Sequence, residues 1–404
     1  MSSFYIELNN NISIANIWIN GGTSLDKKNH KGINKILCSL LTRGCRNYDK
    51  FAFSDHIDSY GAELNCEAFE DGISIFIKSL KQYFNDVYPL IELLLEEPNL
   101  YEEEFLLCKK NAIDSINKSK ENKFNITFDN WKKITYKDHP YSFSCNGLVN
   151  NINIIEHQDI LNEYKSLKKR EHFLLTNVTR KLSTNIKDIK PLTSKDKDPI
   201  NSKAVKDNNK NFICHFSNSK QMILILGSET CPHFHNDNLP LKILEAYLSY
   251  GMSSKLFKIF REQNGLTYDS GVFFPMRKYN APFSIYLSVS EENAKIAYKL
   301  LISIWQDLQS KLISNNKLLL AKLKLKTSFL HDYQTVEEIT SRKVRLLAYG
   351  MDPFYDEKAI SLIENIRSED ILRVSKSYLK NAFLSISGNE KICEEIRYMW
   401  MNKF

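Results

Sequence analysis

Gly251-Met-Ser-Ser-Lys-Leu-Phe-Lys-Ile-Phe-Arg-Glu-Gln-Asn-Gly-Leu-Thr-Tyr268 reads as a helix over residues 254–263 that gives way, past Asn264-Gly265, to a strand over 266–274. Outward from it, strands read at 213–216 and 222–226, a helix at 239–248 and a second strand of the pair at 283–290. Helices at 293–309, 317–331, 336–347 and 370–379 then lead to a closing strand at 383–387. The first half of the chain carries the same order. Strands at 4–8 and 12–19 flank an Asn-rich turn, helices follow at 32–41 and 50–60, and 63–69 pairs with 73–80 across Glu70-Asp71-Gly72, where Asp-Gly supplies the positive φ of a tight turn. Helices at 83–95, 102–118 and 159–169 and a strand at 172–178 complete it.

The two halves meet at residues 189–210, rich in Lys, Asp, Asn, Ser and Pro and nearly free of large apolar side chains, which reads as a solvated linker. The expected organisation is therefore a domain over 1–188, a linker over 189–210 and a domain over 211–404. The fold class is α+β: two homologous halves, each a mostly antiparallel sheet with helices packed on one face.

Bulk properties agree with a folded two-domain chain. Of 404 residues, 43% are hydrophobic and 25% charged, enough apolar material for full cores. The net charge of +7 is spread along the chain with no concentrated basic face, which argues against nucleic acid as a partner. Eight cysteines stand at irregular spacings without C-x-x-C, so neither a disulfide framework nor a zinc ribbon is expected, and reduced thiols are. The N-terminus lacks a basic region followed by an apolar one, and no window reaches about 18 uncharged apolar residues. A soluble cytoplasmic protein with no membrane partner is expected.

The segment Gly32-Ile-Asn-Lys-Ile-Leu-Cys-Ser-Leu-Leu-Thr-Arg-Gly44 resembles the signature helix of the insulinase and mitochondrial-processing-peptidase family of zinc peptidases, in which Gly precedes H-x-x-E-H and Arg/Lys-Gly follows. The surroundings are similar too: Gly21-Gly22 ahead of it, Ser59-Tyr-Gly-Ala-Glu-Leu-Asn-Cys66 where the family has a helix end and a substrate-holding strand, Glu97-Pro98 through Ile116 where it has a second ligand helix, then His139-Pro140-Tyr141 and Asn146-Gly147. In the second half, 251–268 is similar to the family's G-x-x-S-R-L-F-x-x-x-R-E-x-x-G-L-x-Y block. The resemblance covers essentially the whole chain and implies two halves facing each other as a clamshell.

In H-x-x-E-H two imidazoles one turn apart bind zinc, the Glu polarises the attacking water, and a Glu from a later helix completes the site. By the resemblance, those positions hold Lys35 and Ser39 for the two His, Cys38 for the base and Ser115 for the later Glu. An ammonium has no lone pair for a dication, and one Cys cannot assemble three ligands with a Ser. The chain is expected to bind no metal and to have no catalytic residue of its own. Cys231-Pro-His233-Phe-His235 also carries metal-ligand types, and reads as a surface turn before a helix N-cap near Asn236 or Asp237.

Arg261 and Tyr268 fall on the family positions that reach the substrate, and Asn65 on the substrate strand. A guanidinium offers forked donors to carbonyls, and a phenol donates to developing negative charge. Substrate-binding residues without zinc ligands imply a non-catalytic subunit of a heteromeric peptidase, of the bacterial two-chain type, whose H-x-x-E-H partner supplies zinc and cleaves unstructured peptides. A pure scaffold or peptide-binding protein of the same fold is the alternative.

Overall fold

In a computed structural model of the chain, residues 1–179, 184–188, 211–331 and 333–402 are described, Tyr268 by its backbone only. The linker expected at 189–210 lies outside the described residues. In chain order the first part comprises β1 Ser2–Tyr5, β2 Ile12–Asn20, α1 Ile33–Leu41, α2 Lys50–Ser59, β3 Glu63–Ala68 and β4 Gly72–Leu80. Then come α3 Phe84–Glu96, α4 Glu102–Glu121, α5 Lys123–Tyr136, α6 Val149–Ile154, α7 His157–Leu167, β5 His172–Thr176 and β6 Thr184–Asn185. The second part comprises β7 Phe212–Phe216, β8 Gln221–Glu229, α8 Asn238–Ser249, a π-helical segment Phe257–Gln263, β9 Thr267–Phe273 and β10 Pro282–Ser290. It ends with α9 Ala294–Ser310, α10 Asn315–His331, α11 Val336–Ala348, α12 Tyr355–Leu362, α13 Ser368–Tyr378, β11 Phe383–Gly388 and α14 Glu390–Met401.

The strands form two sheets, ordered β3-β4-β2-β5-β1-β6 and β7-β11-β8-β10-β9. Reading the second backwards, β9-β10-β8-β11-β7 matches β3-β4-β2-β5-β1 strand for strand. The pairings match as well: β2 meets β4 antiparallel from Ile12 opposite Leu80 to Asn20 opposite Gly72, and β8 meets β10 antiparallel from Gln221 opposite Ser290 to Glu229 opposite Pro282. In each sheet the strand that opens the half joins its last major strand in parallel, β1 with β5 and β7 with β11. The expected duplication of a mostly antiparallel sheet is present. α5, α6, α12 and α14 were not legible as helices.

Contacts group the chain into two compact units that are not its contiguous halves. The described residues of Met1–Lys118, Phe143–Lys195 and His331–Tyr355 make one, and those of Ser119–Ser142, Asp196–Leu330 and Asp356–Phe404 the other. Thus α5 belongs with the second sheet and α11 with the first.

The exchanged helices add cover to the second face of each sheet. In β2, Ala15, Ile17 and Ile19 enter a large core shared with Ile36, Leu37, Leu40, Phe84 and Ile91, whereas Ile14 packs on Phe76 and Val336 at the start of α11. Seven of the nine β2 residues are consequently buried, the pattern of a strand covered on both faces. The polar Asn16 on the α11 face is satisfied by Ser341 Oγ, which accepts from its Nδ2 at 2.8 Å, and by Ser74 Oγ, which donates to its Oδ1 at 3.3 Å. Farther along α11, Tyr349 Oη donates to Asp71 Oδ2 at 2.8 Å and the Arg345 guanidinium stacks 5.1 Å over Trp18. A capping box between Thr335 and Glu338 starts the helix.

In the second unit α5 takes the corresponding place. Trp131 is fully buried with Ile223, Ile225 and Phe383, and its Nε1 donates to Phe383 O at 3.0 Å. Ser385 Oγ donates to Thr127 O at 2.8 Å, and Phe128 meets Phe273 edge to face with centroids 4.8 Å apart. Truncation Trp131→Ala is expected to destabilise this unit by about 3–5 kcal/mol through the cavity and the orphaned carbonyl of Phe383. Denaturant unfolding followed by circular dichroism measures it, and a loss under about 1 kcal/mol would show that α5 does not hold the sheet.

Candidate functional site

The start of α1 is fixed by a buried polar network. Asp26 accepts from Gly32 N–H at 2.7 Å and from Asn34 Nδ2 at 2.6 Å, while Lys31 Nζ donates to Asp26 O at 2.6 Å. Arg170 donates to Gly21 O at 2.6 Å and pairs with Glu163. Burial pushes the Asp26 carboxyl up to about 6 and the Lys31 ammonium down. The glycine ahead of α1 and the Asn146-Gly147 bend, 115 residues apart in the sequence, come into contact. A Cβ on Gly147 would stand 2.5 Å from Gly32 Cα, and both backbones have positive φ, +84° and +107°.

Along α1, Lys35 and Ser39 lie one turn apart on the outward side, Ser39 exposed with its Oγ donating to Lys35 O at 3.2 Å. Lys35 Nζ forms an ion pair with Glu67 of β3 at 3.7 Å. Cys38 turns into the core at 1% exposure, and its thiol meets that of Cys66 on β3. This hydrogen bond, with burial, holds the Cys66 thiol well above its ordinary range, so it is no thiolate nucleophile. Ser115 is exposed on α4. An ammonium already neutralised by a carboxylate, two hydroxyls and a buried thiol do not make a zinc donor set. No group of three His, Cys, Asp or Glu side chains able to hold a metal exists among the described residues.

β3, which carries Asn65, is the outer strand of its sheet, paired on one side with β4. Asn65 lies opposite Phe76 and is exposed. An edge strand offers a row of backbone donors and acceptors to an extended peptide.

In the second unit, Arg261 lies on the segment read as a helix, but the winding over Phe257–Gln263 is π-helical. Such wide turns are frequent at functional sites. Arg261 is exposed, its guanidinium 5.2 Å over the Phe257 ring, and it makes no ion pair among the described residues. Its fork of N–H groups is thereby preordered for an acceptor. Tyr268 sits at an irregularity of the β9–β10 ladder. Asp269 lies opposite Ser288 and Thr267 opposite Val289, so Tyr268 is the inserted residue of a bulge. Asp269 N–H donates to Thr267 Oγ1 at 3.1 Å, closing the bulge. The side chain of Tyr268 lies outside the described residues. Neither the π winding nor the bulge was legible, although an inserted residue beside Gly265 and Gly271 was the available signal.

The surface turn expected at Cys231–His235 is only partly exposed: Phe234 and His235 face solvent, whereas Cys231 and His233 are buried. Cys231 and His233 are each 3% exposed, and backbone bonds tie the turn to residues 277–281: Thr230 N–H donates to Ala281 O at 2.8 Å, Ala281 N–H to Cys231 O at 3.3 Å and His233 N–H to Arg277 O at 3.0 Å. Asp237 stands at the N-cap position of α8 as expected, but its carboxylate makes no capping bond and accepts instead from Arg373 and Tyr378.

Two outcomes follow from this geometry. The purified chain should hold less than about a tenth of an equivalent of zinc, and chelator should leave its melting temperature unchanged. Stoichiometric, chelator-sensitive zinc measured by atomic absorption would contradict the donor reading. The second concerns Asp26, whose carboxyl binds its proton more tightly folded (about 6) than free (3.8). Its contribution to stability is therefore fully present below 3.8 and is lost as pH rises through about 6. Relative to Asp26→Asn, the wild type should lose on the order of 2–3 kcal/mol over that window in denaturant unfolding. A pH-independent difference would contradict the buried-carboxyl account.

The insulinase (peptidase family M16) profile matches residues 5–147, and the peptidase M16 inactive domain profile matches residues 148–325. An uncharacterized zinc protease of Rickettsia felis is 21% identical over 88% of this chain and 86% of its own length. A Helicobacter pylori protein named non-peptidase homolog YmxG is 21% identical over 83% of this chain and 74% of its own. Among solved structures, a Helicobacter pylori protease aligns with TM-score 0.82 at 16% identity over 95% of this chain and 96% of that one. A Pseudomonas fluorescens peptidase M16 inactive domain aligns with 0.80 at 17% over 95% of each. These likenesses show a shared fold. With the two profiles together spanning residues 5–325, the chain belongs to the insulinase family, peptidase family M16.

Proposed function

We propose that this chain is the zinc-free subunit of a two-chain insulinase-family peptidase of the bacterial type, lending substrate-binding groups and chamber wall to an H-x-x-E-H partner. The observation that carries the reading is a contrast within one sequence. Every zinc position has a residue that cannot serve, while Arg261 and Tyr268 keep the family's types, Arg261 exposed on a π-helical turn and Tyr268 at a bulge. A relative named as a non-peptidase homolog supports the non-catalytic part.

In this reading an unstructured peptide adds to the free edge of β3 beside Asn65, its backbone completing the ladder. Arg261 grips a substrate carbonyl through two N–H groups, and Tyr268 donates its hydroxyl to the carbonyl oxygen as negative charge develops there. Water activation belongs to the partner's zinc and Glu. The eight cysteines are all free, which suits a reducing compartment, and we place the complex in the cytoplasm. No helix among the described residues is long and apolar enough to cross a membrane.

The test is reconstitution with the zinc-bearing partner. Tyr268→Phe removes one donor and is expected to lower turnover roughly 10²- to 10³-fold, the loss seen for a comparable oxyanion donor. Arg261→Ala is expected to raise KM and lower kcat together, and neither change should disturb assembly. If both variants assemble and cleave peptide at the wild-type rate, the pair is packing only, and the scaffold reading of this fold replaces the subunit reading.

A further inference from the structure

We propose that a cavity in the second unit, walled by Trp305 and Trp400, binds a small monocarboxylic acid with an aryl or short alkyl tail, its carboxylate held by Lys380. The inference does not depend on the subunit reading above.

The cavity lies where the C-terminal turns of α9 and α14 meet the turn from α13 into β11, over Leu226 of β8. Side chains alternate along a strand, so Leu226 points away from the face on which Ile223 and Ile225 pack with Trp131 of α5. The space is therefore on the main helical side of the sheet. Its volume is about 390 Å³, within the range of small-molecule sites and far above the gaps that a close-packed interior leaves. Leu226, Ile302, Ala382 and the two indoles are all buried, which makes the floor and walls apolar. Ala382 contributes only a methyl group where a larger side chain would fill the recess.

The mouth is polar, and its chemistry selects the ligand. Lys380 is the only charged side chain of the lining; it is exposed and makes no ion pair among the described residues. The main-chain acceptors around it are already engaged. Gln309 Nε2 donates to Trp305 O at 3.0 Å, Ser310 Oγ to Gln306 O at 2.9 Å and Trp305 Nε1 to Leu379 O at 2.9 Å. The Lys380 ammonium and the exposed Gln306 amide are left to donate.

One ammonium beside an apolar recess matches one carboxylate on an apolar tail. The tail displaces water from the recess, and the carboxylate takes a charge-assisted hydrogen bond at the mouth. A cationic ligand would meet an ammonium with no counter-charge, and a phosphate dianion would leave half its charge unmatched.

The full chain is titrated with 3-phenylpropionate, 3-phenylpropionamide and 3-phenylpropylamine, with affinity read by calorimetry and the site by indole emission. The acid should bind saturably and change the emission, the amide should bind about tenfold more weakly or worse, and the amine should not bind. Ala382→Phe should abolish binding of the acid by filling the recess. Should that variant fail to fold, the exposed Lys380 decides: Lys380→Gln should erase the preference for acid over amide while leaving amide affinity unchanged, and Lys380→Glu should turn the preference towards the amine. No saturable binding of the acid, equal binding of acid and amide, binding that persists in folded Ala382→Phe, or an acid preference unchanged in the Lys380 variants overturns the proposal.

Discussion

Each sheet has two apolar faces, and burying the second one is the constraint on which the rest of the structure depends. A sheet with helices on one side can leave the other to water only if that side is polar. Here β2 presents Ile14 and Trp18 on the side away from α1 and α3, and β8 presents Ile223 and Ile225 on the side away from its own main helical layer. The chain covers them with a helix lifted from the neighbouring stretch of sequence, α11 for the first sheet and α5 for the second. Because each unit borrows a segment from beyond its own half, neither half of the sequence contains a complete core.

Covering both faces rigidifies the strands that position the candidate residues. β4, clamped between β2 and β3, leaves β3 as an exposed edge, and the Asp26 network together with the Gly32–Gly147 contact sets the start of α1 beside it. Between α1 and β3 lie a Lys35–Glu67 ion pair and a Cys38–Cys66 thiol contact. In the second unit the backbone departs from regular geometry at two places, a π turn at Arg261 and a bulge at Tyr268.

Much of this was legible in the sequence because period and punctuation are local. The hairpin at Glu70-Asp71-Gly72, the helix 33–41 and both long antiparallel ladders follow from alternation, turn residues and helical spacing. α5 was not, because Lys123–Tyr136 is crowded with aromatic and β-branched residues of modest helix propensity, including Phe124, Ile126, Thr127, Trp131 and Thr135. Only tertiary burial of Trp131 and Thr127 makes it a helix. The π winding at Arg261 was hidden since a turn of α and a turn of π place the same apolar residues inward over so short a segment. The Lys35–Glu67 pairing was not legible, because it requires knowing that β3 runs alongside α1.

The central claim is that a zinc-bearing relative completes this chain. Its most direct test is capture of the tagged, full-length chain from its own cells under native conditions, with identification of the bound protein and assay of zinc and peptide cleavage in the isolated complex. The account predicts an H-x-x-E-H member of the family in equal amount to this chain, with the zinc on that member and chelator-sensitive cleavage in the complex alone. Recovery of the chain without such a relative, or zinc-dependent cleavage by the chain on its own, would contradict it.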